Sequence, residues 1–299
     1  MYPKYCYYSK VTKCQSQPIV FPAQHQDVQP GLEYLMDPLP IAENPEYRGS
    51  GKLAGKVAII TGGDSGIGRA AAIAFAKEGA NVVIVYLYEH RDAEYTKRRI
   101  EELGQQCLAI AGDLRSPLVS QEVVRRTLKG FGQIDILVNN HGVQFPQCSI
   151  LEITDAQLED TFRTNIFAFF YMTKAVLPHM ARGSCIINTT SVTAYEGNRY
   201  LIDYSATKGA IVAFTRSLSL SLADAGIRVN AVAPGPIWTP LQPASWPAEY
   251  ITTFGTDTPM KRPGQPFELA PAYVYLASQD SGYVSGQVLH VNGGTITST

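Results

Sequence analysis

Tyr204 and Lys208 have the residue types and the spacing of a proton-transfer pair. They lie in DYSATKGAIVAFTRSLSLSLA, which is predicted to be helical, so a spacing of four residues puts both side chains on one face. An ammonium close to a phenol favours the phenolate, which predicts a lowered pKa for Tyr204. Tyr204 is therefore a candidate proton donor or acceptor. The alternative is an amphipathic helix with a Tyr and a Lys on a solvated face, but Ser191, at the carboxyl end of a strand candidate, favours a site.

A glycine-rich turn forms a second candidate site, for phosphate. TGGDSGIGRAAAIAFAKEGA begins with a turn that contains Gly62, Gly66 and Gly68, and it continues as an alanine-rich helix. Glycines let the backbone approach a pyrophosphate, whose charge the N–H groups and dipole at the start of the helix would stabilise. A tight turn without a ligand is the alternative. The strand candidate before the turn and the helix after it favour phosphate binding.

The elements that must position these groups alternate along the chain from Lys52 onward. Short apolar runs are separated by segments that are mostly long enough for crossover helices, which predicts a doubly wound α/β Rossmann fold. Its seven-stranded parallel sheet would be covered by helices on both faces. The strand candidates are residues 56–61, 81–86, 106–111, 134–140, 184–190, 228–234 and 287–293. We expect residues 51–299 to form a single domain of this type.

Residues 1–50 differ from the rest of the chain because they are rich in proline and have little apolar periodicity. This pattern predicts an N-terminal extended arm. A disordered tail is one interpretation. Aromatic residues favour the other, in which part of the arm packs on the domain or on a neighbouring subunit. These residues are Tyr2, Tyr5, Tyr7, Tyr8, Phe21, Tyr34 and Tyr47.

Composition and charge argue against several classes of protein. The chain has 299 residues, is 45% hydrophobic and has a formal net charge of −1, so charge gives no reason to expect a nucleic-acid or membrane partner. The apolar runs are much shorter than the roughly 20 residues of a spanning helix, and the first residues lack the apolar core of a signal peptide. A cytoplasmic protein is expected. The scattered cysteines and histidines predict neither a disulfide framework nor a metal site.

Taken together, the motifs resemble those of the short-chain dehydrogenase/reductase family. TGxxxGxG at 61–68, NNHG at 139–142, TNIF around Asn165, YSATK and PGPIWT follow the family's order, and the resemblance runs to VNGG near the carboxyl end. The proline-rich arm, the segment GSGKLAGKVAIITGGDSGIG and TTSVTAY are similar to a narrower subgroup. That subgroup contains bacterial general stress proteins, YghA-like proteins and homologues of glucose and ribitol dehydrogenase.

The resemblance implies a catalytic tetrad of Asn165, Ser191, Tyr204 and Lys208. In the reducing direction, hydride from a nicotinamide would reach a carbonyl carbon while Ser191 and Tyr204 hydrogen-bond the oxygen and Tyr204 supplies the proton. Lys208 would lower the pKa of Tyr204 and hold the nicotinamide ribose. Asn165 would position a water that links Lys208 to solvent. The expected enzyme is an oxidoreductase that acts on a small aldehyde, ketone or polyol.

The cofactor contacts implied by the resemblance come from the glycine turn and from the loops after the strands. They are Gly62, Asp64, Ser65, Gly66, Ile67, Gly68, Asp113, Leu114, Asn140, Gly142, Tyr204, Lys208, Pro234, Gly235, Ile237 and Thr239. Among them, Asp113 and Leu114 would flank adenine, and Ile237 and Thr239 would meet the carboxamide. His141 stands where the family has a small residue, and it either fills space beside the cofactor or narrows the pocket.

The identity of the cofactor, NAD or NADP, depends on the end of the second predicted strand of the sheet. Tyr86 and Leu87 stand where relatives often have an Asp that selects NAD or an Arg that selects NADP. Asp64 and Glu89 are acidic candidates near the adenosine ribose. Candidates for receiving a 2′-phosphate are Ser65, His90 and Arg91. Repulsion between a phosphate and Asp64 leads us to expect a modest preference for NAD(H), with NADP(H) use left open.

Two other classes of function are alternatives, namely a nucleotide-sensing binding protein and a mainly structural oligomer. The complete set of catalytic residues favours the enzyme. The resemblance also implies a homotetramer, joined through the helices that contain TNIF and YSATK and through residues 266–294. Residues 241–266 lie where the family has a variable substrate lid, and their aromatics either close over a ligand or pack on a neighbouring subunit. These aromatics are Trp246, Tyr250 and Phe254.

Overall fold

The computed structural model of the chain describes residues 10–12 and 15–297. Near the amino end, two short strands, β1 (Lys10–Thr12) and β2 (Gln15–Gln17), form an antiparallel hairpin. Seven further strands form one parallel sheet, and each lies inside one of the predicted segments. They are β3 (Val57–Thr61), β4 (Asn81–Tyr86), β5 (Cys107–Ala111), β6 (Ile136–Asn139), β7 (Cys185–Thr189), β8 (Arg228–Pro234) and β9 (Val288–Val291). The predicted seven-stranded parallel sheet is confirmed.

The strand order of the sheet is β5-β4-β3-β6-β7-β8-β9. β3 is hydrogen-bonded to β4 on one side and to β6 on the other, so Ile59 has Val83 and Leu137 as its two neighbours. Every residue of β3 is buried, as expected for a parallel strand covered on both faces. Because the order reverses between β3 and β6, the carboxyl ends of these strands border the crevice where doubly wound sheets bind ligands.

Helices connect the strands and cover both faces of the sheet, as predicted. They are α1 (Gly66–Lys77), α2 (His90–Glu102), α3 (Pro117–Phe131), α4 (Asp155–Phe162), α5 (Ala168–Val176), α6 (Thr193–Glu196), α7 (Ile202–Leu222), α8 (Ala248–Ile251) and α9 (Pro266–Ala277). Helices α1, α2 and α9 pack on one face, in a core that includes Phe75 and Tyr273. Helices α3, α5 and α7 pack on the other face, in a core that includes Met172 and Leu222. Among the helices of the described residues, none is both long and apolar enough to cross a membrane.

Residues 18–50 pack against this domain. The ring of Phe21 stacks on Trp238, with centroids 3.8 Å apart, and the indole N–H of Trp238 donates to the carbonyl of Pro38 at 2.9 Å. Ile41 is buried against Phe267. Apart from one helical turn at Glu33–Leu35, this segment is irregular. Four of the arm's aromatic residues lie outside the described residues, namely Tyr2, Tyr5, Tyr7 and Tyr8.

Candidate active site

A cleft of about 280 Å³ lies at the carboxyl ends of the parallel strands. Most of the site residues predicted from sequence line it. These are Gly62, Asp64, Ser65, Gly66, Ile67, Asp113, Leu114, Asn140, Gly142, Ser191, Tyr204, Lys208, Pro234, Gly235, Ile237 and Thr239. The two predicted residues that do not line the cleft are Gly68 and Asn165. The fold therefore gathers into one cleft residues that are far apart in sequence.

The glycine turn between β3 and α1 lines the part of the cleft that fits a phosphate. Gly62 and Gly66 have φ angles of +62° and +50°, which favour glycine. A Cβ on Gly66 would lie 3.1 Å from the methyl of Thr239 and would narrow the cleft. A Cβ on Gly68 would lie 1.9 Å from the carbonyl oxygen of Gly62, so Gly68 allows α1 to pack against the turn. The Gly66 N–H already donates to the Glu33 carboxylate, and the glycine backbone beside it, free of side chains, fits a dinucleotide pyrophosphate.

Two carboxylates line the cleft where the glycine turn meets the end of β4. Asp64 and Glu89 are both buried. The Glu89 carboxylate accepts hydrogen bonds from the backbone N–H groups of Leu87, at 3.0 Å, and Tyr88, at 2.7 Å. Burial and the charge of Glu89 raise the pKa of Asp64 to about 7. An acidic, poorly hydrated surface therefore lies where the fold places an adenosine ribose.

The basic groups considered for a 2′-phosphate are engaged elsewhere. The Arg91 guanidinium lies over the ring of Tyr34 in the arm, 4.2 Å from its centroid. The His90 ring is 3.0 Å from the Tyr86 hydroxyl. Neither Arg91 nor His90 lines the cleft, whereas Ser65 does.

Asp113, predicted to flank adenine, forms an ion pair that the sequence did not reveal. Both of its oxygens lie 3.0 Å from Nε of Arg115, and Nη2 of Arg115 is 2.7 Å from one of them. These hydrogen bonds hold the pKa of Asp113 below its usual range. Arg115 also pairs with Asp160, and all three side chains line the cleft.

Tyr204 and Lys208 line the same cleft from one side of α7. The Lys208 Nζ lies 5.4 Å from the centroid of the Tyr204 ring and donates to the carbonyl of Thr189 at 3.0 Å. A Cβ on Gly142 would lie 3.6 Å from this Nζ, so the glycine leaves space beside the ammonium. Thr190 donates to the carbonyl of Lys208 at 2.8 Å, which ties α7 to the end of β7.

Burial controls the proton affinities of this pair. Burial raises the pKa of Tyr204 to about 12, although a hydrogen bond with Ser191 opposes the rise. Burial also lowers the pKa of Lys208 to about 7, since an ammonium loses hydration inside the protein. The expected lowering of the Tyr204 pKa is therefore wrong for this structure. Tyr204 keeps its proton at neutral pH, as a proton donor must.

Ser191 lies two residues beyond β7, and two groups of Thr193 fix its hydroxyl. Its Oγ accepts from the backbone N–H of Thr193 at 3.1 Å and from the Thr193 hydroxyl at 3.0 Å. Thr193 was not predicted, and its place in TTSVTAY is the only sequence signal for it.

Asp203 fixes the start of α7 and was also missed by the sequence analysis. One oxygen of this buried carboxylate accepts from the backbone N–H of Tyr204 at 2.9 Å. The other accepts from Gln157 at 3.0 Å and from Thr161 at 2.9 Å, both in α4. A buried carboxylate thus joins α4 to the helix that carries Tyr204.

Asn165 lies in a π-helical turn, Arg163–Phe167, between α4 and α5. Its side chain accepts from the N–H of Val143 at 2.8 Å and donates to the carbonyl of Val143 at 2.9 Å. It also donates to Thr207 of α7 at 3.2 Å. The fully buried Asn165 therefore joins the loop after β6 to α7. Turns of this type are frequent at functional sites.

Comparison with known proteins agrees with this geometry. Residues 62–296 match the family model described as enoyl-(acyl carrier protein) reductase. Glucose and ribitol dehydrogenase from Daucus carota is 52% identical over 282 residues, which cover 92% of this chain and 97% of that protein. NADPH-dependent aldehyde reductase 1, chloroplastic, from Arabidopsis thaliana is 52% identical over 280 residues, with 91% and 97% covered. A Burkholderia cenocepacia short chain dehydrogenase, solved in complex with NADP, is 30% identical. It superposes with a TM-score of 0.75 over 81% of this chain and 98% of that chain.

The chain belongs to the short-chain dehydrogenase/reductase family. It is an oxidoreductase that uses a nicotinamide dinucleotide, NAD or NADP, to interconvert alcohol and carbonyl groups. The predicted family and class of enzyme are confirmed, and the sensor is not favoured. The narrower resemblance to glucose and ribitol dehydrogenases also holds.

His141, where the family resemblance led us to expect a small residue, is held by two contacts in this dehydrogenase. Its Nδ1 lies 2.7 Å from the Thr61 hydroxyl, and its ring packs on Phe169 with centroids 5.2 Å apart. Burial lowers the pKa of His141 to about 4, so the ring is neutral. His141 lines the cleft, and these contacts are compatible with both alternatives, filling space beside the cofactor and narrowing the pocket.

The lid segment of the dehydrogenase does not place its aromatic residues over the cleft. Trp246 and Phe254 are buried in a cluster with Phe21 of the arm, and the Tyr250 ring stacks on Trp246 at 4.3 Å. None of the three lid aromatics lines the cleft in this structure, where they pack on one another and on the arm. The residues of this region that line the cleft include Pro240, Leu241 and Gln242.

The arm also contributes to the cleft of the dehydrogenase, which the sequence analysis did not predict. Gln29, Pro30 and Gly31 are among the lining residues. No local pattern in the sequence reveals this contact, because the arm and the strand ends it meets are far apart along the chain.

Proposed function

We propose that the chain reduces the carbonyl group of small aldehydes or ketones and oxidises the corresponding alcohols, including polyols. The observation that carries this proposal is a protonated phenol, Tyr204, beside Ser191 and Lys208, in the same cleft as a glycine turn that fits a phosphate. The names of the carrot and Arabidopsis relatives refer to sugar, polyol and aldehyde substrates, which supports the proposed class.

Each member of the proposed tetrad has a distinct role. When bound, the nicotinamide supplies or accepts the hydride. Tyr204 donates its proton to the carbonyl oxygen, and the Ser191 hydroxyl donates a hydrogen bond to the same oxygen as negative charge develops. Lys208 holds a proton at Nζ, close enough to the phenol to support its reprotonation. Asn165 bonds both the loop after β6 and helix α7. It thereby holds α7, which carries Tyr204 and Lys208, in position.

A substrate screen with both cofactors tests the proposal. Small aldehydes, ketones and polyols are mixed with protein and nicotinamide cofactor, and the nicotinamide absorbance is followed. Tyr204→Phe should lower turnover by about two to four orders of magnitude while nucleotide affinity changes little, because only the proton donor is lost. Wild-type turnover in this variant would exclude the proposed role. Tight nucleotide binding without turnover across the panel would favour a nucleotide sensor.

We also propose a modest preference for NAD(H) over NADP(H). Asp64 and Glu89 line the ribose end of the cleft, and a 2′-phosphate there would meet two acidic groups. Arg91 follows the end of β4 by five residues, but its guanidinium stacks on Tyr34 and does not line the cleft. The raised pKa of Asp64 limits the repulsion near neutral pH, so the preference is expected to be small. NADP(H) remains the alternative, because one relative is named NADPH-dependent.

The ratio of kcat/KM for the two cofactors, measured with one substrate, tests this preference. We expect NADH to be favoured. A preference for NADPH of more than about tenfold, or roughly 1.4 kcal/mol, would overturn the proposal.

We further propose that the enzyme is a cytoplasmic homotetramer. Apolar side chains are exposed along the helices expected at the interface, with Phe170 of α5 44% exposed and Leu220 of α7 81% exposed. The cysteines among the described residues are free, as is usual in a reducing compartment. Light scattering should give a tetramer, and Phe170→Asp should dissociate it. Leu118→Asp, at an equally apolar exposed position on α3, is the matched control. A stable wild-type monomer at micromolar concentration would contradict the assembly.

A further inference from the structure

The arm crosses the mouth of the cofactor cleft as a short strap, defined as residues 29–33. Its first three residues line the cleft. The strap contacts the loop after β4 at the adenosine end and the loops after β6 and β8 at the catalytic end. An extended ligand that joins the two ends must therefore pass beside the strap.

Gln29 joins the strap to two loops at the catalytic end. Its Nε2 donates to the carbonyl of Gln144 at 2.6 Å and to the carbonyl of Ala244 at 3.2 Å. Its Oε1 accepts from the backbone N–H of Gln144 at 3.1 Å. A single neutral side chain thus connects the loop after β6 with the segment after β8.

The middle of the strap is held by close backbone contacts. The hydroxyl of Tyr88, just after β4, donates to the carbonyl of Pro30 at 2.7 Å. A Cβ on Gly31 would lie 2.4 Å from the carbonyl oxygen of Pro240, so only glycine fits between the strap and the segment after β8. The strap therefore touches both rims of the cleft.

The far end of the strap is fixed by charge. The buried Glu33 carboxylate accepts from the N–H of Gly66 at 2.6 Å and pairs with the buried guanidinium of Arg69. The backbone N–H groups of Glu33 and Tyr34 donate to Asp92 at 2.8 and 3.2 Å. Charge-assisted bonds are stronger than neutral ones, so the Gln29 end is the weaker attachment.

We propose that the strap covers the bound dinucleotide and that its Gln29 end opens to let the cofactor enter and leave. Gln29 is then a positioning residue, since it holds the wall of the cofactor site in place by bonding two loops. Loss of its bonds should speed cofactor release while the reacting groups stay intact. The proposal rests on nicotinamide binding in this cleft.

Stopped-flow fluorescence of NADH release from the full chain tests the proposal. Gln29→Ala removes three neutral hydrogen bonds that hold the strap closed, and it should raise the release rate by about tenfold. Gln24→Ala is the matched control. Gln24 also bonds backbone groups of the arm, those of Pro22 and Asp37, but it does not line the cleft. We expect its release rate to equal that of the wild type.

Gly31→Ala tests the strap at a second position. Here no hydrogen bond is removed, but the added methyl would push the strap away from Pro240. It should also speed release. Unchanged or slower release in both folded variants would overturn the strap proposal and leave the proposed function standing. If neither NADH nor NADPH binds the wild type, the proposed function is contradicted, and the strap proposal, which rests on it, is contradicted as well.

Discussion

The hydroxyl of Thr193 donates a hydrogen bond to Oγ of Ser191 over 3.0 Å. The backbone N–H of Thr193 donates to the same oxygen at 3.1 Å. With two donors directed at Oγ, the proton of Ser191 points to an acceptor on the other side, which in this structure is Tyr204. We propose that Thr193 in this way orients Ser191 as a donor toward the substrate oxygen.

Removing the Thr193 hydroxyl tests this orientation. Thr193→Val should lower kcat by about three- to tenfold with little change in KM, since one neutral hydrogen bond is lost and the backbone donor remains. Thr193→Ser keeps the hydroxyl and should restore kcat. Equal losses in the two variants would indicate that the methyl group matters and the hydrogen bond does not.

The two directions of the reaction should depend oppositely on pH. Tyr204 is protonated below about 12, and Lys208 is an ammonium mainly below about 7. Carbonyl reduction consumes a proton, so its kcat/KM should fall as pH rises above about 7 and Lys208 loses its charge. Alcohol oxidation needs the Tyr204 phenolate as the base that accepts the alcohol proton, and the phenolate fraction grows with pH, so the kcat/KM for oxidation should rise with pH. Profiles that are flat on both sides of pH 7 would contradict these proton roles.

Lys208→Ala should weaken both nucleotide binding and turnover. The ammonium lies beside the cleft with space left by Gly142, so its loss removes a cofactor contact as well as a proton source. Fluorescence titration with NADH and steady-state kinetics would measure the two effects separately. A variant that lost turnover but bound NADH like the wild type would limit Lys208 to the proton path.

Asp64→Ser should reduce the preference for NADH over NADPH. The substitution removes an acidic group from the ribose end of the cleft, so the kcat/KM ratio should shift toward NADPH. Arg91→Ala is the control, because Arg91 stacks on Tyr34 and should leave the ratio unchanged. A larger shift in the control would place Arg91 at the 2′-phosphate instead.

Glu33→Ala should destabilise the fold strongly. Arg69 would be left buried with only Asp92 as an acidic partner, and breaking a buried pair costs about 3 kcal/mol. Glu43→Ala removes a more exposed carboxylate that pairs with two cations, and should cost about 1 kcal/mol or less. Urea unfolding followed by circular dichroism compares the two variants. A smaller loss for Glu33→Ala than for Glu43→Ala would contradict the role of Glu33 as the arm's anchor.

The sequence by itself determined the sheet and the positions of the main motifs. The central strands β3, β6 and β7 are short apolar runs, and their burial on both faces makes those runs visible without tertiary knowledge. The turn at Gly62 and Gly66 was predictable because positive φ angles favour glycine. Tyr204 and Lys208 were predictable as neighbours, since helix geometry alone puts residues four apart on one face.

Only the tertiary structure decided the electrostatics of the site and the place of the arm. The raised pKa of Tyr204 follows from burial, which the hydrogen bond with Ser191 only partly opposes. The sequence position of Arg91 suggested a contact with a 2′-phosphate, but in the structure its guanidinium stacks on Tyr34 of the arm. Gln29 reaches the cleft through bonds to Gln144 and Ala244, more than a hundred residues away. Local patterns encode helices and strands, whereas desolvation and contacts between distant segments exist only once the chain has packed.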